Sequence, residues 1–325
     1  MRQLLLIAVL VAGCRGSATS QRAVFTKPDA GPTVTDAGAD LGPPAPTGPP
    51  RVVVGAWNLH NFSKYGTAET RVAAIASEIA ALDVDALGVE ELKLLNDTDA
   101  TGPQAWDALL EALPGFGGVH APWSTFGDTT VGLIYREATT TVIASETLFI
   151  GDTQPFPRPP LRVDLTVTKE GRTSTFAVIV LHLKAFQDSV DRRREACQKL
   201  RDYVQAQAEK RFVLIGDLND DPYDLPSENS FDKTFLGAEP DYVFVTASLP
   251  PETVTSTGYF HKVGGQTYTG EFLDHAIVTG DLYDDFQTVA PLVVAKPEAE
   301  FDAWTAATSD HFPLIVTFQP AAPGP

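Results

Sequence analysis

Between residues 131 and 183 four β-rich segments follow one another with no helix between them, and that run decides the fold class. They span 131–136 (VGLIYR), 139–149, 161–169 and 173–183, with Gly171-Arg172 marking a hairpin turn between the last two. A strict strand–helix alternation would predict a parallel doubly wound sheet or a barrel. A block of strands with helices grouped around it predicts an α/β (α+β) protein instead: a four-layer α/β sandwich of two packed β-sheets flanked by helices. Further strands are expected at 51–57, where Val52-Val53-Val54 gives a buried-strand signal, and at 86–89, 212–216 (FVLIG), 241–245, 271–278 and 312–318. Helices are expected at 67–82, 103–113 and 189–207. Val72, Ile75, Ile79 and Leu82 mark the apolar stripe of the first, Trp106, Leu109, Leu110 and Leu113 that of the second, and Val190, Cys197, Leu200 and Val204 that of the third.

The chain before residue 51 obeys other rules. Arg2 precedes a short apolar run, Leu4 to Val11, too short to span a bilayer as a helix and suited to a cleaved signal. Val11-Ala12-Gly13-Cys14 resembles the lipobox of bacterial lipoproteins. That resemblance implies that residues 1–14 are signal peptide plus a lipidated Cys14, and that the protein sits in the bacterial cell envelope, extracytoplasmic, touching membrane only through that lipid. The alternative is an ordinary secretory signal with an incidental Cys. Residues 15–50, rich in Pro, Gly, Ala, Thr and Asp, cannot bury enough apolar surface to offset chain entropy and are expected to be a disordered tether. No repeat or later linker divides residues 51–325, so one domain is expected there, with no protein partner evident and a monomer as the expected state. Cys197, alone in that domain, is read as a structural thiol. Lys plus Arg number 24 against 42 Asp plus Glu, a net charge of −18, which excludes general attraction to nucleic acid or anionic membranes. An anionic substrate would need bound metal or a few placed cations.

Several polar residues stand at the ends of apolar strands. Asn58 follows VVVGAW, Glu91 follows ALGVE, His182 follows FAVIVL, and Asp217 and Asn219 follow FVLIG. Asp274 follows Phe272-Leu273, and Asp310-His311 precedes FPLIVTF. Each alone reads as a turn former; together they stand where a layered α/β protein tends to display a site, at the ends of its strands.

The segments WNLHNF (57–62), LGVEEL (87–92), VGLIYR (131–136), VLHLKA (180–185), GDLNDDP (216–222), FLDHAIV (272–278) and SDHFPLIV (309–316) carry a resemblance to the endonuclease/exonuclease/phosphatase family. That family includes pancreatic-type deoxyribonuclease, abasic-site endonucleases, neutral sphingomyelinases and inositol polyphosphate phosphatases. The resemblance implies the two-sheet sandwich and a phosphoester-hydrolysing site. Glu91 and Asn58 would hold a hard divalent cation, Mg²⁺ or Mn²⁺ with Ca²⁺ as a structural helper, and Asp310 would assist from the far side. Glu90, where the family more usually has Gln, is read as a solvated neighbour without a role. Asp217 and Asn219, two apart on an extended segment, would face one side and grip one water; the other reading is a turn cap before Asp220-Asp221-Pro222. Asp274 would pair with His311 and raise its pKa, while His182 would contact the phosphate or protonate the leaving oxygen. His275 is assigned to the strand frame, and His60, His120 and His261 to structural or surface positions.

Lys184, Arg193 and Arg194 are the expected phosphate-binding cations. Arg192-Arg193-Arg194 opens a helix and opposes its macrodipole. Either Asp188, Asp191 and Glu195 compensate, or Arg193 and Arg194, at the open end of the stripe, face the site. Two departures from the family stand out. Asp128-Thr129-Thr130 occupies the place of a Glu that pairs with the first His, which leaves the partner of His182 open. Ala185-Phe186 follows HLK where secreted relatives place a Cys. The expected function is an extracytoplasmic nuclease acting on nucleic-acid phosphodiesters. The alternatives are a sphingomyelinase-like or inositol-phosphatase-like enzyme, for which Gly258-Tyr259-Phe260 is the one membrane-facing cluster, and an inactive binding protein, against which the intact site residues argue.

Overall fold

In the segment LRVDLTVTK, Leu161, Val163, Leu165 and Val167 are buried and the residues between them are not, so the side-chain period of a strand selects one inward face. The structure, a computed structural model, describes residues 48–62, 68–93, 101–122, 129–263 and 266–321. The chain separates into Met1–Pro44 and Ala45–Pro325, and every described residue lies in the second unit. The elements are, in order, β1 (Val52–Phe62), α1 (Ala68–Ala81), β2 (Ala86–Lys93), α2 (Thr101–Glu111), β3 (Phe116–His120), β4 (Thr129–Arg136), β5 (Thr140–Thr147), β6 (Leu161–Lys169), β7 (Arg172–His182) and α3 (Val190–Gln205). There follow β8 (Phe212–Asp217), β9 (Tyr242–Phe244), β10 (Ser256–Val263), β11 (Gln266–Glu271), β12 (Asp274–Thr279), α4 (Gly280–Tyr283), β13 (Thr288–Val293), α5 (Phe301–Ala307) and β14 (Leu314–Gln319).

The strands form two six-stranded sheets, β13-β14-β1-β2-β4-β3 and β5-β6-β7-β8-β12-β9, and a hairpin, β10-β11. The sheets pack face to face: Val54, Ala56, Leu133 and Val316 of the first meet Val163, Val178, Val180 and Ile215 of the second. Ile75 and Ile79 of α1, Leu109 of α2 and Trp304 of α5 cover the outer face of the first sheet through Val53, Leu87 and Val89. Ala196, Cys197, Leu200 and Val204 of α3 cover Ile179, Leu181 and Leu214 on the second. Each fully buried Val or Leu contributes about 1.5–3 kcal/mol, and the result is the expected sandwich of four layers. Cys197 is buried and unpaired.

Two features aim the sheets at a common rim. β1 runs parallel to β2 with Asn58 opposite Glu90, and β7 parallel to β8 with His182 opposite Asp217. β12 returns antiparallel and sets Asp274 opposite Asp217. The approach of β8 to β7 requires Gly216, at φ 141°, since a Cβ there would lie 2.1 Å from the Leu181 carbonyl.

The expected strand over 271–278 is interrupted. The buried Thr255 hydroxyl receives Leu273 N at 2.9 Å and Asp274 N at 3.0 Å, so β11 ends at Glu271 and β12 starts at Asp274. β13 contains Pro291, which masks it in the sequence, but the strand lies at a sheet edge, where a missing donor is tolerated.

Candidate active site

β1 does not end cleanly. Past Asn58 its register with β2 shifts, and His60 (φ 48°), Asn61 (φ 50°) and Glu91 (φ 59°) all adopt left-handed backbone. Each such residue costs of order 1 kcal/mol. The bulge is held by Arg71 of α1, whose guanidinium donates to the carbonyls of Leu59 (2.6 Å), His60 (3.1 Å) and Thr308 (2.7 Å), and by Glu91 Oε2, which accepts Asn61 N at 2.7 Å. Burial lowers the Arg71 pKa, against the pull of Asp310 and Glu91. In the sequence Arg71 is one more cation on an amphipathic helix, so nothing marked it.

The buried Asn58 side chain joins the two sheets. Its Nδ2 donates to Asp217 Oδ2 at 3.0 Å and to Glu91 Oε1 at 3.2 Å, and its Oδ1 accepts His60 N at 2.9 Å. The nitrogen faces the carboxylates while the oxygen expected beside Glu91 satisfies the bulge through His60 N.

Asp217 and His182 end β8 and β7. His182 Nε2 stands 3.6 Å from Asp217 Oδ2 and 4.0 Å from Glu91 Oε1. Burial, then the charges of Arg158, His311 and Lys184, push the His182 pKa well below 6.5, so the ring is neutral. Asp128, its conjectured partner, lies outside the described residues. Burial raises the Asp217 carboxyl to about 7, against the opposing pull of His311 and the Asn58 hydrogen bond. Asn219 departs from the extended geometry expected of it. At φ 55° its N–H turns back onto Asp217 Oδ1 (3.0 Å), and its Nδ2 donates to the Leu183 carbonyl (3.2 Å). The turn arises because Leu218 is drawn into the core under α3. Asn219 thus orients Asp217 and ties two strand ends together.

His311 Nδ1 donates to Asp274 Oδ2 at 2.8 Å, and its Nε2 lies 3.9 Å from Asp217 Oδ2. Burial alone would lower this pKa, but Asp274, Asp217 and Asp310 outweigh it and carry it well above 6.5, so the ring is an imidazolium. The His311 carbonyl accepts both Trp57 Nε1 (2.9 Å) and Trp304 Nε1 (3.0 Å), and the two indoles stack at 5.7 Å. Ser309 Oγ donates to the Asn58 carbonyl at 2.6 Å. Beside His311, Asp310 Oδ1 sits 3.5 Å from His60 Nδ1. His60, read from the sequence as a structural or surface residue, is half-exposed and lies at the rim beside Asp310. His275 is in the strand frame, between Asp220 O (2.9 Å) and Thr246 Oγ1 (3.0 Å).

Three further expectations change. Glu90 is not solvated: it is fully buried, neither carboxyl oxygen has a hydrogen-bond partner, and burial followed by Asp274 and Asp217 holds its pKa well above the usual range. Arg193 does not reach the site. Buried on α3, it gives Nε to Asp220 Oδ2 (3.2 Å) and Nη1 to the carbonyls of Lys184 (2.9 Å) and Phe186 (2.7 Å). Arg194 is committed to the carbonyls of Asn229 (3.2 Å), Pro226 (3.1 Å) and Ser227 (2.6 Å). Arginine's fixed fork favours such carbonyl clamps. Lys184 stays near the rim, with Nζ 4.8 Å from the Phe186 ring centroid. Buried Arg158, whose Nη2 donates to Leu183 O at 2.7 Å, is a cation near His182 that the sequence did not flag.

No three His, Cys, Asp or Glu side chains among the described residues enclose a ready-made ion site. The donor chemistry nevertheless fits a hard divalent cation. Both oxygens of Glu90 and Oδ1 of Asp274 are buried without hydrogen-bond partners. Glu91 and Asp310, with side chains 21% and 28% exposed, present more open carboxylates at the same rim.

The Endonuclease/Exonuclease/phosphatase family model matches residues 55–311. No curated protein is matched by the chain. Among solved structures, an endonuclease/exonuclease/phosphatase family protein from Bacteroides thetaiotaomicron aligns with TM-score 0.59 at 16% identity, covering 84% of this chain and 99% of that one. D. rerio TDP2 complexed with single strand DNA product aligns with TM-score 0.57 at 13% identity, covering 83% and 99%. A B. thetaiotaomicron mannosyl-6-phosphatase aligns with TM-score 0.54 at 16% identity, covering 82% and 98%. At these identities the likeness to each structure is one of fold. The family match spans every strand end from Asn58 to His311, and the chain belongs to the endonuclease/exonuclease/phosphatase family.

Proposed function

We propose that this protein is a divalent-metal-dependent phosphoesterase of the cell envelope, tethered through Cys14, that hydrolyses nucleic-acid phosphodiester bonds as a monomer. The observation that carries the reading is the grouping of Asp217 with two imidazoles at the strand ends, His182 Nε2 at 3.6 Å and His311 Nε2 at 3.9 Å. A carboxyl titrating at about 7 suits a general base at neutral pH. Asp217 would take a proton from an attacking water, oriented by Asn58 Nδ2 and Asn219 N. The His311 imidazolium, backed by Asp274, would donate to the phosphate and deliver a proton to the leaving oxygen. Neutral His182 would position the phosphate instead of acting as the acid. Glu91, Asp310 and Asn58 would hold Mg²⁺ or Mn²⁺, which would neutralise developing charge on the phosphate oxygens. Asn58 can offer its oxygen only by releasing the His60 N–H.

The D. rerio TDP2 structure bound to a single-stranded DNA product supports the choice of a nucleic-acid substrate. A second reading, a phosphomonoesterase, is favoured by the withdrawal of Arg193 and Arg194 from the rim and by the mannosyl-6-phosphatase likeness. The deciding assay is hydrolysis of single-stranded and plasmid DNA, RNA, bis-p-nitrophenyl phosphate and a sugar phosphate, with and without chelator. Hydrolysis of nucleic acid is expected, lost on chelation, restored by Mg²⁺ or Mn²⁺, and reduced at least about 100-fold in His311→Ala. Full activity of that variant, or of chelated enzyme, would refute the assignment.

A further inference from the structure

Beyond His182 the chain leaves β7 as a strap, residues 183–186, before α3 begins. Phe186 ends the strap with φ 77° and ψ 147°, a backbone region nearly restricted to glycine, yet the residue is 66% exposed. The ring's own burial therefore does not account for the strained conformation. Its carbonyl receives Arg193 Nη1 at 2.7 Å and Ser189 N at 3.1 Å, and the same Arg193 atom takes the Lys184 carbonyl at 2.9 Å. Arg193 is itself fixed by Asp220, so a buried ion pair holds an aromatic ring out in solvent.

The other end of the strap is fastened to the catalytic strands. Leu183 N donates to the Asp217 carbonyl at 2.9 Å, and Leu183 O accepts Arg158 Nη2 and Asn219 Nδ2. Phe186 lies four positions after His182, a reach of at most about 14 Å. The Lys184 ammonium lies 4.8 Å from the ring centroid. Among the described residues the other exposed large apolar side chains lack this combination, and Ile150 and Leu225 are aliphatic. Ile143 and Leu292 belong to the edge strands β5 and β13, and the Tyr223 hydroxyl is bonded to the carbonyls of Ala247 and Leu249.

A solvent-facing aromatic on a pinned backbone, with an ammonium over one face of the ring, is suited to stack an unpaired base on the other face while the ammonium meets the neighbouring backbone phosphate. We infer that Phe186 is a stacking platform for a nucleobase flanking the scissile phosphate, with Lys184 as its backbone contact, so that the preferred substrate is single-stranded. This rests on the nucleic-acid reading of the site.

The test uses the full-length protein with Mg²⁺ and two short single-stranded oligonucleotides of equal length, one with all bases and one with abasic residues flanking the cleavable linkage. Wild-type protein is expected to prefer the base-bearing strand about tenfold in kcat/KM, mainly through KM. Phe186→Ala should erase that preference and Phe186→Tyr should restore it, with circular dichroism confirming that both variants fold. A preference that survives in Phe186→Ala overturns the platform and leaves the nuclease reading standing. Equal cleavage of both strands by wild type also overturns it. Hydrolysis of bis-p-nitrophenyl phosphate without cleavage of either oligonucleotide overturns the nucleic-acid reading and the platform with it.

Discussion

Replacing Asp217 by Asn should weaken this protein in acid and strengthen it above neutrality. Asp217 is 2% exposed and titrates at about 7 in the fold, against 3.8 for an unperturbed side chain. Its folded pKa is raised above the unfolded one, so the stability present below pH 3.8 is lost as pH rises to about 7 and is flat beyond. At about 1.4 kcal/mol per pH interval, that withdraws about 4 kcal/mol from the wild-type protein by pH 8. Asparagine carries no charge and escapes this loss. It also keeps only one oxygen, and if Asn219 N retains it, the donor from Asn58 Nδ2 goes unmatched, at about 1–2 kcal/mol. The variant should therefore be less stable by about 1–2 kcal/mol at pH 4 and more stable by about 2–3 kcal/mol at pH 8. Urea unfolding of chelated wild-type and Asp217→Asn protein from pH 4 to 8 measures both. Two parallel curves, separated by a constant gap, would mean that Asp217 is ionised throughout and that His311 outweighs burial; the argument for a base near 7 would fail with it.

Arg193→Ala removes one member of a pair in which both side chains are 3% exposed, leaving Asp220 buried and uncompensated, so a loss of about 3–5 kcal/mol is expected in thermal or urea unfolding. A phosphate-binding Arg193 would instead raise KM and leave stability unchanged. Cys14→Ser should abolish incorporation of labelled palmitate and release the protein from membranes without detergent; retention of both would disprove the lipid anchor.

The strands readable from sequence are those with uninterrupted apolar runs or clean alternation, such as β7, β8 and β6. β13 hid behind Pro291, and β10 and β11 behind polar sequences, STGYFHKV and QTYTGE. Strand ends were legible as site positions because an apolar run that stops at Asn, His or Asp has reached a rim. Side-chain direction at those ends was not. Glu90 and Glu91 are adjacent, and the sequence alone does not show that Glu90 is sealed inside while Glu91, turned by a left-handed backbone, faces the rim. Arg71 and His60 join the site through the β1 bulge, which no local pattern announces. Arg193 looked available because helix spacing gives a face but not the carbonyls waiting on that face.

β14, the last described strand, lies between β13 and β1 in its sheet. Until it arrives, β1 lacks one of its two neighbours, the face over Val54 and Ala56 is unfinished, and the loop bearing His311 has nothing to follow it. Synthesis proceeds from the other end, so a nascent chain carrying Asn58, Glu91, His182 and Asp217 still lacks the histidine that completes the proposed site. On the proposed reading, activity should therefore appear only once β14 has been made, after every other strand of the two sheets.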